Sequence, residues 1–185
     1  TLPLDNAALA LQAFALLESS WQPERLVEAL QSTRVTGRLD RRTVYCRGVE
    51  LSVMLDVGHN PHAAVYLAEQ LHRESKPGRR LAVFGLLADK DLSGVIDALA
   101  TVFDAWAVAP LPTHRSRSAD ELRSALMERG EAVTIYTGIS EALQRQCDEA
   151  REGDEIVVFG SFYCVAEALA WLDRHASGGG HALGG

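Results

Sequence analysis

The residues able to do chemistry stand in four short loops. The first reads Asp56-Val57-Gly58-His59-Asn60-Pro61-His62. Gly58 permits a tight turn. Asn60 suits a helix N-cap, and Pro61 suits the first helical position, where its missing N–H would be unsatisfied anyway. Asp56 and His59 are thus expected at a helix N-terminus, where backbone N–H groups favour an anion. The same residues would also make an ordinary capped strand–helix turn, and spacing alone does not separate the two. His59 and His62 could instead suggest a metal pair, but no third or fourth ligand is visible.

The second loop is Leu86-Leu87-Ala88-Asp89-Lys90-Asp91. Asp91 can cap the next helix. Lys90 can pair with its acidic neighbours or reach a phosphate or carboxylate. The third, over 110–118 (PLPTHRSRS), carries His114, Arg115 and Arg117 just before a candidate helix start at Ser118. The fourth is Gly160-Ser161-Phe162-Tyr163. Ser161 is an N-cap first, and its hydroxyl with nearby N–H groups can also hold a carboxylate. There is no GxSxG nucleophile elbow. There is no GxxxxGK[ST] phosphate loop and no GxGxxG after a strand. The residues alone therefore describe an incomplete anion site.

Short apolar runs place these loops. They lie over 51–56, 81–85, 105–109, 132–136 and 156–160, are rich in β-formers and end in Gly, Asp or Pro, as buried parallel strands do. Between them, helical spacing aligns Ala64, Leu67, Ala68 and Leu71; Val95, Ile96 and Leu99; Ala119, Leu122, Ala125 and Leu126; Ile139, Ala142, Leu143 and Cys147; and Val165, Leu169 and Leu172. Strand–helix repeats of this kind predict right-handed crossovers and a mostly parallel sheet. In such sheets ligands bind outside the carboxyl ends of the strands, where the four loops fall. The arginine-rich stretch over 39–47 reads as an exposed edge strand joined through Gly48 to the run over 51–56, an antiparallel hairpin.

The chain has 185 residues, 47% of them apolar, and a net charge of -7. That suits one packed domain with an appendage and argues against a dedicated nucleic-acid binder. It leaves anionic small molecules open, because a few local cations can hold those. No apolar run reaches the roughly 18–20 residues of a membrane span, so no membrane partner is expected. Cys46, Cys147 and Cys164 form no CxxC and read as three buried apolar side chains in a reducing, cytoplasmic setting. The stretch over 6–17 is helix-favouring and apolar nearly all round, and must be covered on several sides. The stretch over 177–185 is Gly-rich, like a flexible tail. Together they suggest a piece of a larger protein, cut through a folded region.

At 56–64 (DVGHNPHAA) the sequence resembles the DxAHNPxA signature of the C-terminal domain of folylpolyglutamate synthase and bifunctional dihydrofolate synthase, which are Mur-ligase-like ATP-dependent amide ligases. The resemblance continues in order through Gly37-Arg38, the 87–91 loop, Arg115 with 119–122, and Gly160-Ser161-Phe162-Tyr163. It covers about 33–173. The fold implied is α/β: a Rossmann-like three-layer sandwich with a mostly parallel sheet and an antiparallel edge hairpin. The domains implied are a helical remnant of a preceding ATPase domain at 1–32, the ligase domain at 33–175 and a tail at 176–185. The chemistry implied is phosphorylation of a carboxylate of dihydropteroate or a reduced folate by ATP, followed by attack of the L-glutamate amine. The phosphate loop and the Mg2+ ligands would belong to the missing N-terminal ATPase domain, without which this domain is inactive. Arg38 and Asp56 would bind ATP, Arg38 at the phosphates and Asp56 at the ribose. His59 would be catalytic and, with Ser161, Lys90 and Arg115, would place glutamate. Arg34 is a substitute for Arg38, because the stretch from Arg38 to Asp56 is longer than in many relatives. Gly58 stands where alanine is usual and is expected only to loosen the turn. A free-standing α/β binding or regulatory module and the C-terminal domain of a peptidoglycan Mur ligase are the competing readings. The HNPHAA and GSFY wording disfavours the second.

Overall fold

The computed structural model describes residues 36–176, with Ala8, Leu11 and Gln12, which are helical. The rest of the apolar helix expected over 6–17, the helix expected over 21–31, Arg34 and the tail over 177–185 lie outside the described residues.

Six strands form one sheet: β1 (Asp40–Cys46), β2 (Val49–Asp56), β3 (Arg80–Phe84), β4 (Ala105–Val108), β5 (Val133–Ile135) and β6 (Glu155–Phe159). Within residues 36–176, five helices follow β2 to β6 in turn: α1 (Pro61–Arg73), α2 (Leu92–Leu99), α3 (Ala119–Met127), α4 (Ile139–Glu149) and α5 (Phe162–Ala176). The strand order is β1-β2-β6-β3-β4-β5. Only β1 and β2 run antiparallel, turning through Arg47 and Gly48. The α/β sandwich and its edge hairpin are as the sequence pattern predicts. The last helix continues through Ala176, the first residue of the expected tail.

Binary pattern explains the layers. The residues β6 contributes (EIVVF) are all buried, as a central parallel strand covered on both faces requires. On one face α1, α2 and α3 bury Leu67, Leu71, Ile96, Leu99, Leu122 and Leu126 against Phe84, Trp106 and Phe159. Phe84 and Phe159 stack with ring centroids 4.9 Å apart, and Phe103 meets Trp106 edge-on at 5.0 Å. On the other face α4 and α5 bury Ile139, Leu143, Cys164, Ala168 and Trp171 against Val53, Leu55, Val83 and Val158. The helical faces read from spacing match these layers, although Ala119, Ala125 and Leu169 are only half-buried.

The cysteine expectation needs correction. Cys46 at the end of β1 and Cys147 in α4 form a disulfide; only Cys164 is a free buried thiol. Apolar spacing explained Cys147 well, so nothing in one sequence marked it as paired across 101 residues. Among the described residues, no helix is long and apolar enough to cross a membrane.

At the amino ends of the strands, Glu155 is 0% exposed. Arg41 from β1 pairs with it, Arg80 from β3 donates Nε to it at 3.2 Å, and the Lys76 Nζ lies 3.6 Å away.

Candidate functional site

Helix α1 leaves β2 toward one face and α5 leaves β6 toward the other. The chain's winding therefore reverses at the carboxyl ends of β2 and β6, where open α/β sheets form a ligand crevice. Register sets its rim: Asp56 is level with Phe159, and Phe159 with Phe84. The residues beyond them, 57–59, Gly160-Ser161 and Gly85-Leu86, stand side by side. Gly160 has φ +105°, and a Cβ there would lie 2.3 Å from the Gly85 carbonyl. Only glycine lets β6 end this close to β3.

Asp56 is 5% exposed. One carboxylate oxygen accepts the Gly58 N–H at 2.7 Å and the other accepts the Leu39 N–H at 3.0 Å. Val57 N–H donates to the Gly37 carbonyl at 2.7 Å. These bonds tie the strand leading into β1 onto the Asp56 turn, so the exposed Arg38 stands close enough to act on the Asp56 charge. Leu39 keeps a left-handed φ of 47° to make its bond, a conformation uncommon for a leucine. The expectation for Gly58 changes here. A Cβ would lie 2.6 Å from the Asp56 carboxylate, so glycine lets the carboxylate fold onto its N–H, beyond loosening a turn.

Burial raises the Asp56 carboxyl above its ordinary value; the Gly58 and Leu39 N–H groups and the Arg38 charge oppose this without cancelling it. The folded state then binds the proton more tightly than the unfolded chain. The contribution is fully present below the unfolded value and is lost as pH rises through the folded one. Asp56→Asn removes the titration. The melting temperature of the wild type relative to Asp56→Asn is therefore expected to fall as pH rises from about 4 to about 7. Thermal melts across that range check it; a flat difference would contradict the assignment.

Asn60 caps α1, accepting the Ala63 N–H at 2.9 Å, with Pro61 in the first turn. His59 is half-buried. Its Nδ1 is 3.0 Å from the Val57 carbonyl, and because a carbonyl only accepts, Nδ1 carries the proton. Nε2 is left without a hydrogen bond among the described residues. The His59 ring is 6.4 Å from that of Phe162, which is 65% exposed.

Ser161 caps α5: its Oγ accepts the Cys164 N–H at 3.1 Å, and it is 2% exposed. Its ordinary capping role is thus filled in this structure. The Cys164 thiol donates to the Gly85 carbonyl at 3.3 Å and is pushed up to about 12 by burial, which makes it inert.

Lys90 and Arg115 meet on one carboxylate. Lys90 Nζ is 3.0 Å and Arg115 Nη2 3.4 Å from opposite oxygens of Asp89. The hydrogen bond from Lys90 holds the Asp89 carboxyl below its usual range. Asp91 caps α2 through the Gly94 N–H, and Pro61 of α1 lies against Gly94, which brings this loop beside the His59 loop. Sequence reasoning missed the contact between the second and third loops. Leu87 and Ser116 form an isolated antiparallel bridge, a pairing of one residue with one that no periodicity reveals. The described residues hold no group of three or more His, Cys, Asp or Glu side chains that could hold a metal ion.

The sequence and the fold are similar to those of known proteins. Residues 37–162 match the family model "Mur ligase, glutamate ligase domain". The dihydrofolate synthase/folylpolyglutamate synthase of Haemophilus influenzae is 35% identical over 191 residues, covering 93% of this chain and 43% of the relative. The structure of E. coli FolC in complex with DHPP and ADP superposes with a TM-score of 0.81 at 31% identity, over 95% of this chain and 40% of that one. A bifunctional folylpolyglutamate synthase/dihydrofolate synthase with Mn, AMPPNP and L-glutamate bound gives 0.80 at 34%, over 94% and 40%. The chain thus spans about two fifths of the length of the relatives it matches.

Proposed function

Because this chain belongs to the Mur ligase family, as its glutamate ligase domain, we propose that it serves an ATP-dependent ligase joining L-glutamate to dihydropteroate, to folates, or to both. In this reading ATP phosphorylates the carboxylate of the pterin substrate, the glutamate amine attacks the acyl phosphate, and an amide, ADP and phosphate result. The observation carrying the reading is that the Leu39 N–H bond to Asp56 brings the segment bearing Arg38 onto the strand end that carries Asp56 and His59, at the reversal of the sheet.

Asp56 holds its carboxylate ready to accept hydrogen bonds from the ribose, with its oxygens oriented by the Leu39 and Gly58 N–H groups. Arg38 faces the phosphates, where a guanidinium stabilises charge that grows in phosphoryl transfer. His59, protonated at Nδ1, presents Nε2 as an acceptor for the glutamate amine. Lys90 and Arg115 attract the glutamate carboxylates. The start of α5 at Ser161 adds N–H groups, since its hydroxyl is engaged as the cap. The sequence has no phosphate loop, so gripping ATP and its Mg2+ is assigned to a separate ATPase domain.

The chain alone is therefore expected to release no phosphate from ATP with dihydropteroate and L-glutamate. In an isotope-labelled sample ATP should move the amides of Leu39 and Gly58, with affinity weaker than low-micromolar, and L-glutamate those of His59 and Lys90. Robust turnover by the chain, or titrations that leave those amides in place, would overturn the proposal.

A further inference from the structure

Arg117 stands at the seam between the 86–91 and 110–118 loops. Its backbone N–H donates to the Leu86 carbonyl at 2.9 Å, and the Ala88 N–H donates to the Arg115 carbonyl at 2.8 Å. Its guanidinium then reaches back over the 86–91 loop. Nη2 donates to the Ala88 carbonyl at 2.7 Å and to the Lys90 carbonyl at 3.0 Å. Nη1 lies 3.6 Å from Glu121. Nε is buried and has no hydrogen-bond partner among the described residues.

A buried donor without an acceptor costs free energy, so the pose is kept by the other bonds. One nitrogen gripping two carbonyls two residues apart fixes the path of the chain between them. That path carries Asp89 and Lys90, the ion pair Arg115 joins. We propose that Arg117 is a positioning residue: it clamps the loop and so sets where the Lys90 ammonium stands for a carboxylate ligand. The inference rests on the reading of Lys90 as part of a glutamate site, and it adds a residue that touches no ligand. Lysine cannot replace it fully, because an ammonium lacks the rigid fork that puts Nη2 on the two carbonyls while Nη1 faces Glu121.

The test uses the full chain in four forms: wild type, Arg117→Met, Lys90→Ala and the double variant, with Arg117→Lys as the conservative control. Amide exchange at Ala88 and Lys90 should speed up by about tenfold or more in Arg117→Met, less in Arg117→Lys, while the exchange of β3 and β6 stays put. In L-glutamate titrations the losses of the two single variants should not multiply in the double variant, because Arg117 acts through Lys90. Unchanged exchange at the loop, or losses that multiply, would overturn the clamp. If Lys90→Ala binds L-glutamate as the wild type does while the loop still loosens without Arg117, the clamp stands and the glutamate reading fails.

Discussion

Glu155→Gln is expected to lower the stability of the domain by about 3 kcal/mol, a fall in melting temperature of roughly 10 °C. The carboxylate is 0% exposed and is the shared partner of Arg41, Lys76 and Arg80. Glutamine keeps the shape but removes the charge, and it turns an N–H2 group toward donors. Removing one member of a buried pair costs about 3–5 kcal/mol, because the remaining charge is left uncompensated. The lower end applies here: Arg41 is 32% and Lys76 26% exposed, so both can turn to water, whereas Arg80 is only 12% exposed. Two controls separate this from a general charge effect. Asp120→Asn, which breaks an exposed pair with Arg123, should change stability by less than about 1 kcal/mol. Raising the salt concentration should leave most of the Glu155→Gln loss in place, since buried charges are screened little. Denaturant titration measures all three. A loss below about 1 kcal/mol for Glu155→Gln would mean that the three cations find other partners at little cost.

The Glu155 cage also marks how far the sequence could be read. The strands were legible because a buried parallel strand is a short unbroken apolar run. Helix starts at Asn60, Asp91, Ser118 and Ser161 were legible because capping is local chemistry between residues three apart. Asp56 at the end of β2, and His59 and Lys90 just ahead of α1 and α2, follow from the same local pattern. What was not legible depends on partners distant in sequence. Glu155 begins an apolar strand and gives no local sign of cations 75 and 114 residues away. Leu39 is an ordinary leucine whose left-handed backbone is set by Asp56, 17 residues on. Arg117 read as one more cation in a basic loop, because its two carbonyl partners lie 29 and 27 residues before it. The site's first contacts are thus written locally, and the groups that hold them in place are written by topology.

The disulfide carries the second large effect, and its consequence is thermodynamic. Cys46 and Cys147 close a loop spanning 101 residues of separation, which holds β2 to β5, α1 to α3 and most of α4. A cross-link of that span removes chain entropy from the unfolded state worth about 4–5 kcal/mol. Reduction by a dithiol, or the pair Cys46→Ala and Cys147→Ala, is therefore expected to lower stability by about 4 kcal/mol. The native sheet should persist, because β1 still pairs with β2 along its whole length and the two thiols can stay where their sulfurs are. Three measurements test this. The reduced wild type and the double alanine variant should melt together, apart from the small cavity that two lost sulfurs leave. Reductant should not move the melt of the double variant, because Cys164 is the free thiol and sits buried and inert in both forms. The denaturant slope should rise when the link is opened, since an uncrosslinked unfolded chain exposes more surface. If reduction leaves the melting temperature and the slope as they were, the link contributes nothing to the fold, and the hydrophobic contacts of α4 with the sheet hold that face alone.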